Sequence, residues 1–307
     1  MNSYFVRHTK ALRVRDEDLK GLWDDDRIAV HYPDPGGHLA EQDSESTDPE
    51  HYERTGKKAM NCLRNLSESG GYVWAESFVS DDGAAKIGFI EPGTKIQLTT
   101  DPQVAIDARW DLRGRQEDFP RRSNGNPAVL KTLKFSPTKS VGRQEQMGLR
   151  AGKPRQGTIA RWKCGTRLAD LVKGRTPEEE WSNLFTEQQE AACAEFLRLR
   201  QHRNDLPKLR YLLLPVGRTL KDIDVYALAE DSQKIFAQVT YHLRDSSGFA
   251  DKVSRLQAYD DDGGHLVFFG RGDGPPAEDG MKFVSVDDVM HWIEGESQEY
   301  RTALFSN

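Results

Sequence analysis

The sequence predicts a two-part α+β protein, in which a mostly-β N-terminal half is followed by an α/β sandwich with a mixed sheet. Short apolar and aromatic runs, separated by turns rich in Gly, Pro and Asp, fill much of the first 135 residues, which is typical of a compact barrel. From residue 186 onwards, helical and strand patterns alternate. We therefore predict a first domain at 1–167, a polar linker at 168–185 and a second domain at 186–307.

The N-terminal elements follow from hydrophobic periodicity. Alternating apolar residues predict strands at 4–15 (a strand, or a strand and turn), 27–32, 71–79, 86–90, 95–98 and 130–135. Asp16 is a candidate N-cap for a short helix at 16–22, and a second helix is predicted at 52–67. The segment 34–52 is rich in Pro, Gly, Asp, Ser and Glu, which indicates an exposed loop.

The C-terminal elements begin with a helix at 186–201, which Thr186 and Gln189 open as a capping box. Strands are predicted at 208–216, 222–229, 234–242, 265–269 and 282–286, and helices at 250–259 and 286–293. This order is α-β-β-β-α-β-β-α, which favours helices packed on the faces of one sheet.

Composition excludes several classes of protein. Hydrophobic residues make up 36% of the chain, and six Trp, nine Tyr and thirteen Phe are enough to form cores. No apolar run approaches the roughly 18 residues that span a bilayer, and the first residues carry no apolar signal region. The three cysteines are far apart and lack zinc-site spacing. We therefore expect a soluble, cytoplasmic protein with no membrane partner and no structural zinc.

Charge is distributed unevenly along the chain. Residues 109–167 hold 15 Lys and Arg against four acidic residues, a net charge of +11, so the other 248 residues carry −17 of a chain total of −6. A basic segment on an acidic chain indicates a face that contacts nucleic acid. A solvated basic loop is the alternative.

The stretch DIDVYALAEDSQKIFAQVTYH, residues 222–242, carries the most informative pattern. An acid opens one strand, and Gln238-Val239-Thr240 lies on the next. Side chains two apart on a strand share a face, so Gln238 and Thr240 point the same way, where Asp224 can join them. Together with the order of elements, this stretch resembles the PD-(D/E)XK nuclease fold, most closely the Mrr-type restriction endonuclease domain.

The resemblance implies a role for each of these residues. Asp224 is then the acid that holds Mg²⁺, Gln238 fills the Glu/Gln position, and Glu195 is an acid of the preceding helix, as is Glu190. Thr240 stands where the family has its catalytic lysine, and it supplies no charge. His242 lies on the same face as a candidate base.

The departure at position 240 predicts a degenerate or weak site. Lys234 is on the same strand but about 20 Å away, too far to substitute. The alternative is that Asp222 and Asp224 are turn residues, and that Gln238 and Thr240 are ordinary polar residues of a strand.

The N-terminal half carries a second, looser resemblance. The opening YFVRHTKALRVRDEDLKGLWDDDRIAVHYP, the hairpin GYVWAESFVSDDGAAKIGFIEPGTKI and the strand KPRQGTIARW are similar to PUA-like barrels of the EVE and YTH type. Such barrels read modified bases by flipping them into an aromatic pocket, while basic residues hold the backbone. The resemblance implies base contacts by Trp23, Trp74, Trp110 and Trp162, and phosphate contacts by Arg155, Arg161 and Lys163. Each Trp is also a candidate core residue.

These observations favour a DNA-directed protein of the modification-dependent restriction or phage-defence type. The first domain would recognise modified DNA, and the second would cleave it weakly or only bind it, with Mg²⁺ required if the site is active. The alternatives are a non-enzymatic sensor or adaptor that recruits a partner effector, and an RNA-binding regulator. A homodimer is also compatible with either function.

Overall fold

The structure is a computed structural model that describes two compact units, residues 1–177 and 178–305. It describes the chain except for residues 1, 9–11, 13, 33–44, 78–84, 102–127, 142–148, 150–151, 155–156, 165, 177, 201–205, 214–221, 241, 243–245, 261–262, 273–279 and 306–307, and the side chains of 138 and 200. The boundary between the units falls inside the segment predicted as a linker. That segment carries a short helix at Arg167–Val172 and a 3-10 helix at Trp181–Asn183.

The first unit contains eight of the described strands and three helices. The strands are β1 (Ser3–His8), β2 (Arg27–Val30), β3 (Gly71–Ser77), β4 (Ala85–Ile90), β5 (Gln97–Leu98), β6 (Lys131–Lys134), β7 (Ser136–Val141) and β8 (Ile159–Arg161). The helices are α1 (Asp16–Asp24), α2 (Arg54–Ser69) and α3 (Arg167–Val172), with a 3-10 helix at Pro49–His51. All except β7 and α3 overlap the predicted ranges, because each has its own apolar periodicity.

The strands of the first unit form two sheets. One has the order β7-β4-β3-β1-β8, and the other has the order β2-β6-β5. In the larger sheet β1 pairs with β3 in parallel. The other strand pairs of this sheet, β1–β8, β3–β4 and β4–β7, are antiparallel. Among the described residues no closed barrel forms, so the predicted barrel is not shown. The parallel pairing of β1 and β3 breaks the succession of hairpins that a simple barrel requires.

Helices cover both faces of the larger sheet. The apolar side of α2, formed by Ala59, Met60, Leu63 and Leu66, joins Tyr4 and Val6 of β1 in one core. Phe5 and Trp74 point to the opposite face, because side chains alternate along a strand. On that face α3 packs against β3 and β4.

The second unit follows the predicted order of elements and adds a closing helix. Its helices are α4 (Thr186–Arg200), α5 (Ser247–Gln257), α6 (Val286–Glu294) and α7 (Gln298–Phe305). Its strands are β9 (Leu209–Leu213), β10 (Val225–Ala229), β11 (Lys234–Val239), β12 (His265–Gly270) and β13 (Met281–Ser285). None of the helices described in either unit is long and apolar enough to cross a membrane.

One mixed sheet organises the second unit, in the order β13-β12-β11-β10-β9. Strands β9, β10 and β11 are antiparallel, while β11, β12 and β13 are parallel. Residues of α4 and α6 share one core with Ala237 and Val239 of β11. Phe249 and Val253 of α5 share the core of the other face with Phe236. Gln238 lies two residues after Phe236 on β11, so its side chain leaves the sheet on the same face, towards α5.

Candidate nuclease-like site and nucleic-acid interface

The register of β10 and β11 places Asp224 opposite Gln238. Val225 pairs with Ala237, so the same register continued by one residue brings Asp224 to Gln238, and the Asp224 N–H donates to the Ala237 carbonyl at 3.0 Å. Because residues directly opposite in an antiparallel pair have neighbouring side chains, the two polar groups meet at the end of β11. The structure therefore brings together two of the residues that the sequence assigned to the site.

Hydrogen bonds fix the Asp224 carboxylate. Its Oδ2 accepts from Gln238 Nε2 at 2.5 Å and from the Val239 backbone N–H at 2.8 Å. Gln238 is only 3% exposed, and its Oε1 is buried without a hydrogen-bond partner among the described residues. A buried acceptor of this kind costs free energy unless it meets a donor or a cation.

Lys252 completes the cluster from helix α5, and the sequence prediction missed it. Its Nζ lies 3.4 Å from Asp224 Oδ2 and donates a hydrogen bond to the Val239 carbonyl. The side chains of Lys252 and Asp224 are 25% and 19% exposed, so this is a partly buried ion pair. An ammonium group therefore lies beside Asp224 although strand β11 carries no lysine there.

Thr240 and His242 have local structural contacts after β11. Thr240 is fully buried, and its Oγ1 accepts from the His242 backbone N–H at 3.1 Å. The His242 ring lies over Gly248 in the first turn of α5, where an added Cβ would meet His242 Nε2 at 2.8 Å. Thr240 thus begins the turn out of the strand. None of the hydrogen bonds that the described residues make joins either side chain to Asp224 or Gln238.

The two acids of helix α4 differ in their surroundings. Glu195 is ion-paired with Arg198 at 2.6 Å, and it contributes to raising the pKa of Tyr300 to about 12, an effect caused mainly by burial. Burial also raises the pKa of the Cys193 thiol well above its ordinary value, and the carboxylates of Asp224 and Glu190 add to that shift. Glu190 therefore shares a neighbour with Asp224, whereas Glu195, the acid predicted for the site, lies beside Tyr300 and Arg198.

The donor set around Asp224 does not fit the Mg²⁺ that the resemblance implies. Magnesium favours several oxygen ligands, usually with more than one negative charge to balance its own. Among the described residues, the polar contacts here involve one carboxylate, Gln238 turns its amide nitrogen towards that carboxylate, and Lys252 already supplies a positive charge. The residues that the structure describes contain no group of three His, Cys, Asp or Glu side chains suited to a metal ion.

The predicted base-stacking residues of the first unit lie inside its core where they are described. Trp23, Trp74 and Trp162 are 9%, 1% and 3% exposed. Trp74 and Trp162 pack edge to face with ring centroids 5.9 Å apart, and Trp162 Nε1 donates to the Gly152 carbonyl at 2.7 Å. A ring that stacks on a base needs an open face, so these three rings act as core residues in this structure. Trp110 lies outside the described residues.

The basic segment 109–167 is described at seven of its 15 Lys and Arg positions. Lys131 and Arg167 are buried, while Lys134 and Lys153 are ion-paired with Asp25 and Glu76. The remaining three, Lys139, Arg161 and Lys163, are exposed.

Two of the predicted phosphate contacts therefore remain on an open surface. Arg161 ends strand β8 at the edge of the larger sheet, and its Nη2 donates to Asn2 Oδ1 at 3.3 Å. Lys163 is two residues further along the chain and is also exposed. Arg155 lies outside the described residues.

Comparisons with known proteins give only distant structural similarity. No protein-family model matches the chain, and no curated protein matches it by sequence. A structure of EndoMS with double-stranded DNA is 11% identical over 66% of this chain and 73% of its own, with a TM-score of 0.23. A repair endonuclease from Pyrococcus abyssi is 13% identical over 66% of this chain and 74% of its own, with a TM-score of 0.23.

The MspJI restriction endonuclease, in complex with a 27-mer oligonucleotide, is 11% identical over 92% of this chain and 71% of its own, with a TM-score of 0.27. Similarity at this level establishes neither a common fold nor a common activity.

Proposed function

We propose that this chain is a DNA-directed protein of the modification-dependent restriction or phage-defence type. In this proposal the first unit recognises modified DNA, and the second unit engages the DNA through a nuclease-like site that cleaves weakly or not at all. The observation that carries the proposal is the convergence of Asp224, Gln238 and Lys252 at the end of β11.

The chemistry of this cluster supports contact with a phosphodiester. A lysine ammonium is a point charge that binds phosphate, and Lys252 is still partly exposed. The orphaned Gln238 Oε1 is a buried acceptor that would gain a partner from a water molecule or a cation brought by a ligand. A simple turn needs no such cluster. The meeting of a carboxylate, an amide and an ammonium from two strands and a helix therefore favours a functional site over a structural turn.

The first unit contributes exposed positive charge. Arg161 and Lys163 lie at the edge strand β8, and each can neutralise one backbone phosphate. Trp23, Trp74 and Trp162 are core residues, so they do not line a base-reading pocket. Recognition of a modified base by this unit therefore rests on the sequence resemblance.

The non-enzymatic adaptor is the second candidate, and the single carboxylate favours it. Nucleases that depend on divalent cations use the ions to stabilise charge on the scissile phosphate. With Asp224 paired to Lys252, the described residues offer little of that stabilisation. Binding without cleavage would leave the cutting to a partner effector or to a second copy of the chain.

The experiment is a paired binding and cleavage assay with the full-length chain. Duplexes carrying methylated or hydroxymethylated bases are compared with the unmodified duplex, by fluorescence anisotropy and by gel analysis of the products in Mg²⁺ or Mn²⁺. The variants are Asp224→Asn and Lys252→Met. The matched control is Lys208→Met, because Lys208 also pairs with one carboxylate, Glu230, but at the opposite end of β10.

Each outcome separates the candidates. Tighter binding to a modified duplex, with slow cleavage that Asp224→Asn removes and Lys208→Met leaves unchanged, is the expected result for a weak enzyme. The same binding preference without cleavage identifies the adaptor. Equal and weak affinity for every duplex overturns the proposal, and stronger binding to single-stranded or duplex RNA would favour an RNA-binding regulator instead.

A further inference from the structure

The nuclease-like site of the proposed function has a lysine where a divalent cation would be expected. A cation bound at the end of β11 would contact two oxygen donors, the carboxylate of Asp224 and the carbonyl oxygen of Val239. Lys252 Nζ contacts these same two groups, at 3.4 Å from Asp224 Oδ2 and within hydrogen-bond distance of the Val239 carbonyl. The ammonium and a metal ion would therefore compete for one position.

Gln238 adds a second obstacle to a metal ion. Its Nε2 donates to Asp224 Oδ2 at 2.5 Å, an interaction that only the nitrogen end of the amide can make with a carboxylate. The amide oxygen of Gln238 therefore does not point at the Asp224 carboxylate, where a cation would bind. A cation bound there would require both displacement of Lys252 and rotation of the Gln238 amide.

The charge balance favours the lysine. Asp224 and Lys252 carry opposite unit charges, so the pair is neutral before any ion arrives. A divalent cation brought within about 4 Å of a retained ammonium would be strongly repelled at the low effective dielectric of a partly buried site. Removal of the ammonium would leave one carboxylate, one carbonyl and one buried amide oxygen, which are all oxygen donors of the kind that Mg²⁺ and Mn²⁺ accept.

We propose that Lys252 is a built-in cation that takes the place of the divalent metal between Asp224 and the Val239 carbonyl. In this arrangement the lysine joins α5 to the end of β11 and closes the site to divalent ions. The inference takes the nuclease-like site of the proposed function as its starting point, but it does not depend on DNA binding.

The test is a titration of the full-length protein with Mn²⁺ alone, followed by electron paramagnetic resonance of the free ion. Five proteins are compared: wild type, Asp224→Asn, Lys252→Met, the double variant and the control Lys208→Met. The proposal expects no difference in Mn²⁺ binding between wild type and Asp224→Asn. It expects Lys252→Met to bind Mn²⁺ at least on the order of tenfold more tightly, because the competing charge is gone. The double variant should lose that gain.

Two results would overturn the inference. One is a wild-type protein that binds Mn²⁺ through Asp224, shown by weaker binding in Asp224→Asn. The other is a folded Lys252→Met variant whose Mn²⁺ affinity equals that of the wild type and of Lys208→Met. If Lys252→Met does not fold, weaker Mn²⁺ binding in Asp224→Asn than in the wild type still overturns the inference. Because no nucleic acid is present, a failure here is distinguishable from a failure of the proposed DNA function.

Discussion

Replacement of Asp224 by alanine should loosen the end of β11 where the candidate site lies. The carboxylate Oδ2 accepts from Gln238 Nε2 and from the Val239 N–H, and it faces Lys252 Nζ at 3.4 Å. Alanine removes all three interactions at once. The Gln238 amide is then left buried, and Lys252 keeps its hydrogen bond to the Val239 carbonyl.

The magnitude follows from the number and burial of these interactions. A hydrogen bond to a charged acceptor contributes about 1.5–3 kcal/mol, and two such bonds are lost. The ion pair adds no more than about 1 kcal/mol, because its N–O separation of 3.4 Å is longer than that of a close ion pair. Water can replace part of what is lost, so we expect Asp224→Ala to lower the local free energy of opening by about 2–4 kcal/mol.

Hydrogen–deuterium exchange of the full-length protein measures this effect locally. Amides at 235–240 should exchange roughly 30- to 1000-fold faster in Asp224→Ala, since about 1.4 kcal/mol corresponds to a factor of ten. The control is Glu230→Ala, which breaks an exposed pair with Lys208 at the other end of β10 and should cost less than about 1 kcal/mol. Equal exchange at 235–240 in the two variants would refute the assignment of Asp224 as the group that fixes this corner.

Two further predictions concern the first unit. Burial, with a smaller effect of Lys86, lowers the pKa of His8 to about 4, so the unfolded chain binds a proton between pH 6.5 and 4 that the folded chain does not. Stability should therefore fall by about 3 kcal/mol as pH drops through that window, and His8→Gln should flatten the loss in chemical denaturation at pH 7 and pH 4.5. Replacing Arg161 and Lys163 together by glutamine should reduce the slope of log affinity against log salt by about 2 for duplex DNA, and an unchanged slope in anisotropy titrations would contradict their role as phosphate contacts.

The elements of the second unit are predictable because their signals are local. Each helix or strand carries its own periodicity, and the sequence placed the start of α4 at Thr186. The predicted capping box does not form, because Gln189 Nε2 donates to the carbonyls of Trp181 and Leu184. The meeting of Asp224 and Gln238 also follows from local information, since a short hairpin joins β10 to β11 and thereby sets their register.

The sheets of the first unit depend on contacts that no local pattern specifies. Strand β1 pairs in parallel with β3, and about 60 residues separate the two along the chain. The number and spacing of short strands fit a barrel equally well, so periodicity alone predicted a barrel that the described residues do not form. The burial of Trp74 and Trp162 has the same origin, because a tryptophan in a strand gives no sign of which face is covered.

The surroundings of Thr240 show why the lysine of this site lies on another element and not on strand β11. Position 240 follows the last residue of the strand and is fully buried, and the Thr240 hydroxyl accepts from the His242 N–H as the chain turns. Its methyl group faces Gly270 of the neighbouring strand β12. An ammonium has to approach Asp224 from another element, and α5 brings Lys252 across the face towards which Gln238 points. The position of a charge is thus set by which element crosses the end of the strand, and the strand sequence alone does not contain that information.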